Sequence, residues 1–188
     1  MIDWLLQADT YCFILFNMKV ANPVFDVIMP FITAQQTWYP VWLFLLIYLP
    51  WKGGKKGRWA VLLILLSFAV ADASAYRIFK PWIQRIRPCN MVENVHLLVG
   101  NKTSWSMPSN HAANFFAIAT VLAWFYGKYR LYFYFIAALV AYSRVAVGVH
   151  YPFDVLAGAL LGYMVSRIWL SIFVIADKKY HLSSDNRE

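Results

Sequence analysis

His150 and Asp154 stand four residues apart, with Pro152 between them. Near the start of a helix, that spacing lets the carboxylate reach one imidazole nitrogen. The bond would fix the tautomer and present the other nitrogen as a nucleophile or base. Asp154 also has a plainer use, as a favourable negative charge in a first helical turn. Upstream lies Ser143-Arg144. Arg144 sits inside an apolar run, where a cation is costly and marks function by default. A second string is Ser106-Met107-Pro108-Ser109-Asn110-His111. Ser109 suits an N-cap, and the free N–H groups of the helix that follows would bind an anion, with His111 beside it. The third string runs from Lys80 to Arg87-Pro88. Seven residues is two helical turns, so both cations would share one helix face, and Pro88 should stop the helix at Arg87. Each string alone has an ordinary reading: a snorkelling anchor, a simple cap, a histidine at an interface. Together they gather two His, one Asp, one Ser and three cations, and an anionic ligand is the simplest reason for that.

The elements that must position these residues are membrane helices. The chain has 188 residues, of which 61% are hydrophobic and 14% charged. Soluble domains run at about 45–50% and about 25%. A globule of this size cannot hide that much apolar surface. Disorder, a disulfide scaffold and a collagen-like chain are excluded. Nine Trp and 12 Tyr suit long membrane interfaces. Backbone groups in lipid must be satisfied internally, so the fold class is all-α, a polytopic membrane helical bundle. Five apolar stretches, at 38–51, 59–79, 112–126, 131–149 and 153–175, approach the ~20 residues needed for a span. Residues 3–20 carry Gln7, Asp9, Asn17 and Lys19 among apolar neighbours and read as an amphipathic interfacial helix. A short apolar piece through Ile32 would lead into the first span. Five transmembrane helices are expected, or six if 3–20 crosses. Residues 1–188 are expected to form a single membrane-embedded unit.

The formal net charge of +8 divides into two shares. Lys52, Lys55, Lys56 and Arg58 form one basic loop, Lys128 and Arg130 a second, and Lys178, Lys179 and Arg187 a third. Two spans separate each from the next, so all three share a face, the cytoplasmic one by the positive-inside rule. Lys80, Arg85, Arg87, Lys102 and Arg144 then fall on the outer face, against that bias. The excess charge therefore points to an anionic substrate, not to nucleic acid. Cys12 and Cys89 lack metal-site spacing and read as two inert thiols, with a disulfide the alternative. Asp72, inside the second span, calls for a partner that the sequence does not name.

These strings resemble the type 2 phosphatidic acid phosphatase superfamily. Its signature is Lys-x6-Arg-Pro, Pro-Ser-Gly-His and Ser-Arg-x5-His-x3-Asp, and residues 80–154 follow it in order and spacing. One position departs: Asn110 stands where glycine is usual. Asn tolerates left-handed geometry and adds a side-chain donor, so an altered but active pocket is expected. The resemblance implies a metal-independent, cofactor-free phosphatase. His150 would be the nucleophile that forms a phosphohistidine, with Asp154 orienting it and His111 as the general acid. Lys80, Arg87, Arg144, Ser109 and the N–H groups near Asn110 would hold the phosphoryl oxygens, with no metal ligands. The expected substrate is a lipid phosphate or pyrophosphate of the undecaprenyl pyrophosphate, phosphatidylglycerol phosphate or lipid A 1-phosphate class. The compact chain suggests a bacterial inner membrane with the active site on the outer, periplasmic face. Residues 88–108 would form a lid or substrate-reading loop, with 92–99 apolar enough to touch lipid and His96 a surface histidine. A lipid phosphotransferase on the same fold, an ion or proton transporter, and an inactive lipid-binding relative remain as alternatives. The sequence leaves the oligomeric state open.

Overall fold

The structure, a computed structural model, describes residues 3–180 and is all-helical over that range. Arg187 of the third basic cluster lies outside the described residues. Helix α1 (Asp3–Ile14) continues through a wider π-turn at Leu15–Lys19. Helix α2 (Pro23–Thr33) starts at the Asn22 cap, whose side chain accepts from the Val24 and Phe25 amides. Then come α3 (Gln35–Lys52) and α4 (Gly54–Ala73), which runs on through a π-turn at Ser74–Phe79 into a single turn, α5 (Lys80–Ile83). A long connection with one 3-10 turn (Pro88–Asn90) leads to α6 (Asn110–Phe125), α7 (Arg130–Ala146) and α8 (Pro152–Tyr180).

The integral-membrane character is visible on the outside of the bundle. Leu43, Ile47, Leu62, Leu131, Phe135 and Ile172 are all exposed, which only a lipid solvent rewards. The run Gly54–Asn90 and α8 (Pro152–Tyr180) are each long and apolar enough to cross a membrane alone. The pair Asp3–Lys19 and Pro23–Thr33 reaches that standard only together, and it is bent by 115°. Helices α3, α6 and α7 are shorter, at 18, 16 and 17 residues. A 16-residue helix is about 24 Å long, below the ~30 Å of a typical hydrocarbon core.

Two features set the position of the site. Helix α8 carries Gly158 and Gly162 against α6, in the small-xxx-small spacing that lets backbones touch. A Cβ on Gly158 would lie 2.4 Å from the Ser109 carbonyl oxygen, and one on Gly162 would lie 2.0 Å from that of Ala113. The N-terminus of α6 is therefore pressed onto the first turns of α8. The second feature is the alternation of chain direction. The end of α4–α5, the start of α6, the end of α7 and the start of α8 meet at one end of the bundle, where all three strings lie. The loops carrying Lys52 to Arg58 and Lys128 to Arg130 fall at the other end.

Helix α1 departs from the amphipathic reading. Its polar residues face the protein: Asp9, Phe13 and Asn17 are all buried. Asp9 Oδ1 accepts from the Phe153 amide at the start of α8, at 2.9 Å. Asn17 donates to the carbonyls of Val145 (3.3 Å) and Ala146 (2.8 Å) at the end of α7. The middle of α1 and the π-turn that follows it thus both contact the end of the bundle that carries the three strings. The stretch 92–99 also turns inward. Val92 and Val95 pack around Phe13 and Val145, and Leu98 and Val99 pack around Met29 and Val147. Apolar residues in a loop could face lipid or core, and here α1 and α2 supply the core.

Candidate active site

His150 follows α7 and is buried. Its Nδ1 faces Asp154 Oδ2 at 3.4 Å and Ser106 Oγ at the same distance. Its Nε2 lies 3.0 Å from Arg87 Nη1. A guanidinium can only donate, so Nε2 is the acceptor and the ring proton resides on Nδ1. The nitrogen that carries the lone pair therefore points into the cation cluster. Burial pushes the His150 imidazole well below its usual range, and the bond to Asp154 only partly offsets this. Burial thus favours the neutral ring, with its Nε2 lone pair facing Arg87.

Asp154 is held on both oxygens. Oδ2 accepts from Ser106 Oγ and from the Tyr151 amide at 2.8 Å. Oδ1 accepts from Arg85 Nη1 at 2.8 Å. The sequence spacing of His150 and Asp154 is thus met in space. Pro152 opens α8, and the Asp154 carboxylate folds back to cap the turn at Tyr151.

The cations arrive by different routes. Lys80 is buried on α5 and donates to the Trp105 carbonyl at 2.6 Å. The helix does not continue to Arg87. Gln84 is left-handed, at φ 51°, and ends it four residues before the proline. Arg87 is extended, so the expected shared helix face does not form. The two cations still converge, because Arg87 Nη2 donates to the same Trp105 carbonyl (3.3 Å) while Nε donates to the Ser104 carbonyl (2.7 Å). Arg144 is buried in the last turn of α7, and its Nη1 donates to Thr33 Oγ1. Its Nε has no hydrogen-bond partner among the described residues. Lys80, Arg87 and Arg144 lie close enough to act on one another electrostatically. A partnerless buried donor amid clustered cations is a seat for an anion.

Ser109 caps α6, accepting from the Ala112 amide at 3.5 Å, and its own amide donates to the Asp154 carbonyl at 2.9 Å. His111, in the first turn of α6, bonds to the Thr33 carbonyl and faces Arg144. Asn110 behaves differently from the expectation of an added donor in the pocket. It has ordinary right-handed helical geometry, and its amide donates to the Asp72 carboxylate at 2.9 Å. Asn114 donates to the same oxygen at 2.8 Å. This pair supplies the partner that Asp72 required.

His111 also borders an apolar groove of about 270 Å³. Helices α3, α4 and α6 line it with Trp38, Trp42, Leu45, Leu65, Phe68 and Phe115, while Thr33, His111 and Asn114 are among its few polar residues. Among the described residues, no three His, Cys, Asp or Glu side chains are grouped as metal ligands. Cys12 and Cys89 are unpaired thiols. His96 pairs with Asp26 at 2.8 Å, both partly exposed.

Several contributors were not legible as site residues. Ser106 sat in a recognised string but without a role. Arg85 stood out only as an outer-face cation. Asp9 lay in the segment read as an interfacial helix and Thr33 just past the short apolar piece that ended at Ile32, and nothing in their spacing linked them to His150 or Arg144.

The PAP2 superfamily model matches residues 56–177, which contain all three strings. This chain belongs to the PAP2 superfamily. Among PAP2 relatives, a lipid A 4'-phosphatase of Bacteroides thetaiotaomicron is 30% identical over 197 residues, covering 98% of this chain and 84% of that protein. The crystal structure of Aquifex aeolicus LpxE superposes with a TM-score of 0.68 at 30% identity, covering 86% of this chain and 94% of that one. The transmembrane PAP2-type phosphatidylglycerolphosphate phosphatase of Bacillus subtilis gives a TM-score of 0.68 at 26% identity, covering 98% and 89%. The PAP2 likeness to solved structures therefore extends beyond the strings to most of the helical frame.

Proposed function

We propose that this protein is an integral membrane phosphatase, a hydrolase that removes phosphate from a membrane lipid phosphate or pyrophosphate. The observation that carries the reading is the position of His111. It stands between the cation cluster and the apolar groove, so a phosphate held by Lys80, Arg87 and Arg144 would have its lipid portion beside α3 and α4. Phosphoryl transfer relies on positioning and charge neutralisation, which three fixed cations and the α6 N-terminus supply.

In the proposed reaction, Nε2 of His150 attacks phosphorus and the bond to the leaving oxygen breaks. Arg87 gives up its contact with Nε2 and donates to a phosphoryl oxygen. Burial and Arg144 disfavour a charged His111 before substrate binds, and a bound phosphate would offset the cations and let it carry the proton that it gives to the leaving oxygen. Neutral again, it takes a proton from the water that cleaves the P–N bond and releases inorganic phosphate. Asp154 keeps the Nδ1 proton in place and stabilises the charge that develops on the ring. Ser109 orients the start of α6, so that the first free amides of that helix, near Asn110, would face the phosphoryl group. No metal or cofactor enters this scheme.

We read residues 1–188 as one membrane unit with five to six crossings, α1 contacting the site end. The site would face the outside of a bacterial inner membrane and the basic loops the cytoplasm, in keeping with the opposite-end placement of Lys52 to Arg58. The relatives support three substrate classes alike: lipid A phosphates, undecaprenyl pyrophosphate and phosphatidylglycerol phosphate. Phosphate release from a panel of these lipids by the purified protein, with His150→Ala as control, tests the reading. Free phosphate from a pure lipid supports hydrolysis. Phosphate that appears only on an added acceptor lipid would mean a phosphotransferase.

A further inference from the structure

We propose that Asp9 and Arg85 form a buried carboxylate–guanidinium relay that fixes Asp154, and through it the orientation of His150. The inference rests on the roles proposed above for His150 and Asp154. The relay itself is geometric. Arg85 spans two carboxylates: Nη2 lies in ion-pair contact with Asp9 Oδ2 at 2.6 Å, off hydrogen-bond alignment, and Nη1 donates to Asp154 Oδ1 at 2.8 Å. Both carboxylates are fully buried, and the arginine side chain is only 14% exposed. The guanidinium lies over the Tyr151 ring, its Cζ 4.0 Å from the centroid. Its backbone carbonyl accepts from the Ser106 amide at 2.7 Å, and Ser106 in turn bonds Asp154. Asp9 is anchored separately, through Oδ1 on the Phe153 amide.

This arrangement solves a specific problem. Asp154 must present Oδ2 to His150 Nδ1, yet a carboxylate swings readily about its last bond. Arg85 takes Oδ1 and so leaves Oδ2 for the imidazole and Ser106. A planar fork holds its two partners in a fixed geometry, which the freely rotating ammonium of a lysine does not. Asp9 lies outside residues 56–177, the segment matched by the family model. The N-terminal helix would then be part of the catalytic apparatus and not simply a membrane attachment. Arg85 and Asp9 touch no reacting atom in this scheme; they are positioning residues.

The test is a double-mutant cycle on the full-length protein, using a lipid phosphate and an activated aryl phosphate whose leaving group needs no protonation. Arg85→Lys is expected to lower kcat about tenfold with KM changed less than about twofold. In the Asp154→Asn background the same substitution is expected to cost less than about twofold, because its target is already gone. Equal losses in both backgrounds would overturn the relay, since a merely structural ion pair weakens both alike. If Arg85→Lys does not fold, Asp9→Asn replaces it in the same cycle. That change keeps an acceptor for the Phe153 amide while removing the charge. A second readout needs no turnover. In 1H-15N NMR, the tautomer of His150 is expected to stay, since Arg87 still donates to Nε2, while the Nδ1–H proton moves upfield in Arg85→Lys as its Asp154 partner shifts; an unmoved Nδ1–H resonance overturns the proposal. Failure of the wild-type chain to release phosphate, with the NMR shift present, would instead count against the hydrolase reading alone.

Discussion

The Asn110 side chain turns away from the cation cluster and donates to the Asp72 carboxylate across the α4–α6 interface, at 2.9 Å. The residue that replaces the usual glycine is therefore a tether between helices, and the phosphate seat keeps its backbone. Asn110→Gly should lower stability and leave catalysis nearly intact. A hydrogen bond to a charged group contributes about 1.5–3 kcal/mol, and glycine in a helix costs up to about 1 kcal/mol more. Asn114 still holds Asp72, so the loss should sit near the lower end. Thermal unfolding in detergent should show a reduced Tm, while kcat stays within about threefold of wild type.

The close contact of α8 with α6 makes Gly158 a second point of control. A methyl group there meets the Ser109 carbonyl oxygen, which is backbone and cannot rotate aside. Gly158→Ala should push the start of α6 away, displacing Ser109 and His111 together. Overpacking of this kind costs about 1–3 kcal/mol. The expected result is a folded but less stable protein with a kcat loss of at least about tenfold, since small misplacements are costly. Stability and phosphate release measured on the same preparation check it.

The pH dependence follows from the burial of His150. Protonation would remove the nucleophilic lone pair, and burial disfavours that form, so the folded-state pKa lies below the ordinary value of about 6.5. Activity limited by His150 should persist as pH falls through 6.5 and decline only at lower pH. Labelled-histidine NMR should find His150 neutral, with its proton on Nδ1, at about pH 6. A charged ring at that pH contradicts the assignment.

The groove predicts a split between lipid and soluble substrates. Leu65→Trp fills space between α3 and α4 without touching the cations. KM for a long-chain lipid phosphate should rise about tenfold, while a short aryl phosphate is hydrolysed as before. Chelation by EDTA should leave both activities unchanged, and inhibition that Mg²⁺ reverses would contradict the metal-free scheme.

Much of the site was legible because its chemistry follows local spacing. Ser109 and His111 fall within one helical turn, and His150 stands just ahead of α8, whose first turn carries Asp154 back to it, so a short sequence separation fixes the spatial one. The pair Lys80 and Arg87 shows the limit. Helix periodicity placed them together for the wrong reason, since Gln84 breaks the helix and the shared Trp105 carbonyl brings them back. Asp9 and Asn17 show a different limit. A polar stripe on an apolar helix looks the same whether it faces water or a buried polar site. Asp9 reaches Arg85 and Phe153, and Asn17 reaches Val145 and Ala146, contacts that only the fold creates. The number of crossings was obscured likewise. The α1–α2 pair bends by 115°, and α6 and α7 are shorter than a typical span.

The most direct test of the central claim is to trap the phosphoenzyme. Purified protein is mixed with lipid substrate carrying a radioactive phosphate, quenched rapidly in alkali and digested. The account predicts label on the peptide containing His150, stable in alkali, released by acid and absent from His150→Ala. Phosphate release that continues in His150→Ala, with no label on histidine in the wild type, would contradict it.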